Sequence, residues 1–405
     1  MDELLQGGRL TGGKMNIRPF TFFPKWLWVV IPLALLAFLI FLFIYTDPVK
    51  YLGMTVPPVE ELTFERTVID QNGIHLNVRA NGSEPVSVAQ VTVDDAYWRF
   101  VQSPGGPIRR LESVRIDIPY PWVEGELHEI KLITRTGITF SHTIEVAEPT
   151  PKWSLSSFLI FALIGIYVGI LPVALGLMFY PYLRTLGNTG FRFLLSLTVG
   201  LLAFLFVDMI SEGLEIASES ADVFEPGVVL WLMVAFSFLA IFFLGRQKGK
   251  APEGKQLAFY LALGIGLHNL GEGLAVGAAF TSGEVALGSF LVIGFTLHNI
   301  TEGIGIAAPL VKKSAGIILF AVLALVAGTP AIAGILFGTF AYSPHWTVVL
   351  LAIGAGAILQ VIVEVGDYLK RSSVKTGEHW LSMSSLCGFF LGLVFMYTTS
   401  LMVSI

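Results

Sequence analysis

Residues 266–280 read GLHNLGEGLAVGAAF, and residues 296–310 read TLHNITEGIGIAAPL. His268, Asn269 and Glu272 recur as His298, Asn299 and Glu302, each triplet inside an apolar segment of membrane-spanning length. On a helix, positions i, i+1 and i+4 share one face. Each segment therefore presents an imidazole, a carboxamide and a carboxylate as one polar stripe. A short polar turn separates the two segments, which predicts adjacent antiparallel helices. Their stripes would meet near the bilayer midplane as a local inverted repeat. An ionisable side chain at that depth costs at least about 2.5 kcal/mol, so four of them need partners. Two imidazoles and two carboxylates make an N2O2 donor set that zinc accepts at about 2.0–2.2 Å. Iron, manganese, cobalt or cadmium could use the same donors. The amides of Asn269 and Asn299 are expected to donate to the carboxylates or to lend a carbonyl oxygen. The competing explanation is a self-satisfied seam that glues two helices, His to Glu. One His–Glu pair would fit glue; a repeated triplet fits an ion site.

The composition around the motif agrees. Of 405 residues, 54% are apolar and 14% charged, and the mean hydropathy is +0.73. These values exclude an ordinary soluble domain and imply a polytopic membrane protein whose largest partner is the lipid bilayer. No nucleic-acid partner is expected. The single cysteine, Cys387, excludes intrachain disulfides and thiolate-rich metal sites.

In chain order, residues 1–25 form a polar tail with Arg9, Lys14, Arg18 and Lys25. Residues 26–46 read as an uncleaved membrane anchor, with no small-residue cleavage site after the apolar run. Residues 47–152 change character. Ile74–Val78, Val114–Ile118 and Ile138–Val146 alternate apolar and polar, punctuated by Asn72-Gly73, Asn81-Gly82, Gly105-Gly106 and Thr136-Gly137. That period predicts a small all-β sandwich, with Trp98, Phe100, Tyr120 and Trp122 as large core or edge residues. His75, His128, His142, Asp94 and Asp95 show no ligand-like spacing and read as ordinary strand and turn residues. Pro149-Thr150-Pro151 is the linker.

Residues 153–405 hold eight further spans, at roughly 154–180, 192–211, 228–245, 256–280, 286–309, 314–340, 346–369 and 380–404. Alternate loops carry Arg184 and Arg192; Arg246, Lys248, Lys250 and Lys255; Lys312 and Lys313; and Lys370, Arg371 and Lys375. The intervening loops have acids or His345 but neither Lys nor Arg. The bias predicts a multi-pass protein of the cell membrane, with a cytoplasmic N-terminal tail and the β-domain and C-terminus outside. The fold class is thus a polytopic α-helical membrane protein with an eight-helix bundle, one N-terminal anchor helix and a β-sandwich domain.

HN-x-x-EG on one helix, with a related motif on the next, within eight spans, resembles the ZIP (Zrt/Irt-like) family of divalent-metal transporters. The resemblance covers about 154–405 and implies an eight-helix carrier that moves zinc or a related ion into the cytosol, as substrate rather than cofactor. It implies that His268, Asn269, Glu272, His298, Asn299 and Glu302 hold the metal. Two departures stand out. Thr329 occupies the place of a carboxylate that relatives with two-metal centres carry just before a proline. His298-Asn299 stands where many relatives have an acid. One principal ion is therefore expected. Asp208 and Glu212, near the outer end of their span, are candidates for cation entry by electrostatic focusing. Glu215 to Glu225 read as a solvated acidic loop. Glu364 resembles a family position on the exit side, and Asp367 reads as solvated surface.

Two rival functions remain. An intramembrane metal-dependent hydrolase would need a general base beside the ion. HN-x-x-E is not the His-Glu-x-x-His of zinc proteases, and no catalytic set is apparent, so a non-enzyme is expected. A metal sensor or receptor would need an output module, and none is recognisable. For the β-domain, homodimerisation and protection of the outer entrance are both open.

Overall fold

The computed structural model describes residues 27–46, 59–220, 225–246, 251–281, 285–311, 314–376 and 380–403. The expected N-terminal tail, the start of the β-domain up to residue 58, Asp222, Glu284, Lys248, Lys250, Lys312 and Lys313 lie outside the described residues.

Helix α1 (Leu27–Thr46) belongs to a separate compact unit, Met1–Pro58. It is 20 residues of apolar sequence with Pro32 in its first turns. Thr46 Oγ1 closes its last turn on the Leu42 carbonyl, 2.7 Å away. Its polar stripe is absent, as befits a segment without a polar surface to present.

The second unit opens with eight antiparallel strands: β1 (Leu62–Asp70), β2 (Gly73–Ala80), β3 (Val88–Val93), β4 (Ala96–Trp98), β5 (Val101–Ser103), β6 (Ser113–Ile118), β7 (His128–Thr134) and β8 (Thr139–Ile144). They form two four-stranded sheets, ordered β1-β2-β6-β5 and β4-β3-β7-β8. Alternation does what the sequence predicts. Ile74, Leu76 and Val78 of β2 and Ile116 and Ile118 of β6 turn inward to meet Val91, Val93, Ile130 and Leu132. Trp98, Phe100, Tyr120 and Trp122 pack around this core partly buried, so they are edge residues. Gly73 ends the β1–β2 turn at φ +128°, and a Cβ there would stand 2.1 Å from the Ile118 carbonyl; only glycine fits. The linker is pinned rather than loose. Thr150 N–H donates to the Ile69 carbonyl, and Ile69 N–H donates to Thr150 Oγ1, both at 2.9 Å.

The remainder is helical. Seven helices among the described residues are long and apolar enough to cross a membrane. The first of them is broken into α2 (Leu155–Gly165), a π-turn segment at Ile166–Ile170, α3 (Leu171–Leu177) and α4 (Tyr180–Leu183). Ser154 caps its start by accepting from Ser157 N–H. The other helices are α5 (Asn188–Glu219), α6 (Pro226–Gly245), α7 (Lys255–Thr281), α8 (Val285–Ala307), α9 (Ile317–Ala341), α10 (Pro344–Thr376) and α11 (Met383–Val403). The eighth long helix of this region is α7, which carries the first polar triplet.

Three expectations need correction. The second span does not stop at residue 211; α5 runs to Glu219, because glutamates are good helix formers and need not end a helix on leaving an apolar layer. Likewise α10 continues past residue 369 to Thr376, so Lys370 and Arg371 are helical rather than loop residues. Arg192 is not a loop cation either. It sits inside α5 at 1% exposure.

Candidate metal centre

The triplets fall where the pattern puts them, one turn apart on α7 and on α8. All six residues are buried, none above 6% exposed. Glu272 Oε1 is the hub. It lies 2.6 Å from His298 Nε2 across the helix pair and 2.8 Å from His268 Nε2 on its own helix. One donor atom each from His268, Glu272 and His298 can be chosen so that all lie within 4.8 Å of one another. Glu302 Oε1 stands 4.0 Å from His268 Nε2. Neither Glu302 oxygen has a hydrogen-bond partner, although the residue is only 1% exposed. A buried carboxylate left unpaired is costly, and a cation among these four side chains would remove that cost.

The asparagines do a different job from the one expected. Asn269 Nδ2 donates to the Ala327 carbonyl of α9, and Asn299 Nδ2 donates to the Val168 carbonyl, each at 3.0 Å. They tie the site helices to their neighbours and do not donate to the carboxylates. Their side-chain oxygens have no hydrogen-bond partner.

The glycines after the glutamates repeat this division. A Cβ on Gly273 would lie 2.3 Å from the Ala331 carbonyl of α9, and one on Gly303 would lie 2.3 Å from the Val173 carbonyl of α3. Each site helix therefore packs backbone to backbone on a different partner, α7 on α9 and α8 on α3. The polar stripes are left facing each other.

The site forms the floor of a cavity of about 350 Å³ lined by Asp208, Met209, Glu212, His268, Glu272 and His298 among apolar residues. Asp208 and Glu212 thus stand over the triplets from within α5, not at its end. Towards the β-domain the cavity shares Ile216, Ala278 and Tyr342 with a second one of about 310 Å³, which lies beneath β1 and β8. Arg66 of β1 reaches the Phe340 carbonyl at 3.4 Å beside this antechamber. The β-sandwich thus forms one wall of this second cavity.

Met209 was not singled out in the sequence. Its Sδ lies 3.0 Å from His268 Nδ1, the ring nitrogen opposite the one that meets Glu272, so it orients the imidazole from behind. Nothing marked it, since a methionine in an apolar helix is ordinary core. Thr329 is exposed and does not line the cavity. Glu364 lies apart, on α10, in a bidentate pair with Arg246. Asp367, expected as free surface, belongs to the same cluster, 3.1 Å from Arg246 Nη2.

The β-domain histidines are spent locally. His75 bridges Asp70 and Asp117, His128 Nδ1 meets Asp94 at 2.8 Å, and His142 Nε2 meets Thr67 Oγ1 at 2.8 Å. Among the described residues the only His/carboxylate group of three with metal-ligand proximity is the one at Glu272. The chain matches no protein-family model and no curated protein.

Proposed function

We propose that this protein transports a divalent transition-metal ion, zinc foremost, with iron, manganese or cadmium as related substrates. The observation that carries the proposal is the convergence of His268, Glu272 and His298 on one buried point, with Glu302 4.0 Å from His268 Nε2 and neither of its oxygens hydrogen-bonded. Glue would have paired every charge. The cavity above them supplies a route, and Asp208 and Glu212 on its wall supply an attractive potential for a cation. Glu272 at the floor and Glu302 just behind His268 would together balance the charge of one divalent ion in a medium of low dielectric constant.

The eight long helices from Leu155 to Val403, α7 included, are taken as membrane spans, in the manner of the ZIP family the motif resembles. Arg184, Arg246, Lys255, Lys370 and Arg371 lie at helix ends away from the β-domain, and that excess of positive charge supports taking this end as the cytosolic one. The ion then enters beneath the β-sandwich, exchanges water for imidazole and carboxylate, and leaves toward the basic end.

Metal uptake into proteoliposomes containing the full chain tests the proposal, with Glu272→Ala and His298→Ala alongside. Uptake that is saturable in the parent and lost in both variants is the expected result. Undiminished uptake in the two variants refutes it.

A further inference from the structure

The cavity that reaches His268 and His298 is one-sided. On α7 nothing before His268 lines it, and on α10 nothing beyond Leu351 does. Beyond the site, towards the end away from the β-domain, Leu257, Leu261, Ile265, Ile358, Val361 and Val365 close the packing at 1% exposure or less. Two polar residues of α10 interrupt this apolar plug. Gln360 is fully buried with neither end of its amide hydrogen-bonded. Four residues on, and so on the same face, Glu364 is also fully buried.

Glu364 receives Arg246 from the C-terminal end of α6. Nε lies 3.0 Å from Oε1 and Nη2 lies 3.3 Å from Oε2. The guanidinium stacks 4.4 Å from the Phe242 ring centroid and extends to Asp367. Arg371 carries the network on to Glu253, 2.9 Å away, ahead of α7. The exposures are graded: Arg246 is 30% exposed and the Glu364 side chain 1%. The arginine thus plugs the carboxylate from the solvent side.

Building on the transport reading, we propose that Arg246 is a tethered cation that holds the basic end of the bundle shut, and that its release opens a path past Gln360 to the midplane site. The physical reason is the cost of a lone buried charge. Removing Arg246 leaves Glu364 uncompensated in an apolar plug, and water must enter to solvate it. A divalent ion arriving from the site supplies the same positive charge, so the guanidinium can leave without stranding the carboxylate. Bound substrate would then unlock its own exit.

The test is thiol accessibility in the full-length protein with Cys387→Ser as background, read without metal. A cysteine at Gln360→Cys is expected to react slowly with a small charged thiosulfonate reagent. Arg246→Gln should raise that rate at least tenfold, and the exchanged pair Arg246→Glu with Glu364→Arg should return it to the slow value. Leu323→Cys, buried in α9, should stay slow throughout. Equal Gln360→Cys rates with and without Arg246 overturn the proposal, as does acceleration at both cysteines, which would mark general loosening. Because labelling needs no metal and the Glu272→Ala flux assay leaves Arg246 intact, the two readings can fail separately.

Discussion

Asn299 donates its side-chain amide to the main-chain oxygen of Val168, 3.0 Å away. Val168 lies four residues before Pro172, which has no N–H to serve that carbonyl in α geometry. On α7, Asn269 reaches the Ala327 carbonyl of α9, next to the Val326 carbonyl that Pro330 leaves without an N–H. Asn269→Ala and Asn299→Ala are each expected to cost about 0.6–2 kcal/mol, the range for interhelical hydrogen bonds in membranes. Melting of the purified protein with each variant measures this. Unchanged melting would mean that the two carbonyls find other donors.

Metal binding should rank the site residues. Glu302→Gln is expected to weaken zinc binding by more than about 100-fold, exceeding the 10–100-fold typical of outer-shell changes. Met209→Leu, which removes only the contact behind the His268 ring, should cost less than Glu302→Gln, about 10–100-fold, and equally for zinc and cadmium. Competition against a coloured chelator gives both affinities. A loss in Met209→Leu confined to cadmium would instead make the thioether a direct ligand. Binding should also weaken in acid, because protons compete for the same imidazoles and carboxylates.

The glycines of the motif should tolerate no side chain. Gly273→Ala and Gly303→Ala each place a carbon 2.3 Å from a carbonyl oxygen of the neighbouring helix. Backbone must move apart, at about 1–3 kcal/mol each by the usual cost of overpacking. Thermal unfolding followed by size-exclusion chromatography reads the effect. Parent-like stability would show that these helices are not in backbone contact.

The β-domain should lose stability in acid in two stages. Burial lowers the His142 pKa below its ordinary value. An unfolded His binds a proton near pH 6.5 and the folded one resists it, so this contribution is complete above about pH 6.5 and declines below. Asp70 is held well below the usual carboxylate range by the Asn72 N–H, then by His75 and Lys152. Its contribution is complete above about pH 3.9 and fades only as the pH falls further. Denaturant titrations followed by tryptophan fluorescence resolve the two stages, and His142→Phe should abolish the first. A single decline confined below pH 4 would contradict the buried neutral histidine.

Much of the candidate site was legible in two lines of sequence, because helical periodicity is local. Spacing alone puts His268 with Glu272, and His298 with Glu302, on single faces. The β-sandwich was legible for the same reason: alternation at Ile74–Val78 and Val114–Ile118 states which side of a strand is apolar. Helix ends were less so. Glu212 and Glu215 reduce hydropathy without breaking a helix, and α5 runs through both to end at Glu219.

What needed the tertiary structure was everything that depends on distant neighbours. Nothing within α8 says that Asn299 serves Val168, 131 residues away, or that Met209 meets His268 across 59. Nor could Glu364 by itself reveal that Arg246, 118 residues earlier, neutralises it. Covalent order dictates which faces are polar, since side-chain direction follows from backbone geometry over a turn or two. Which polar faces meet is settled by close packing among helices, where backbone contacts at Gly273 and Gly303 choose the partners.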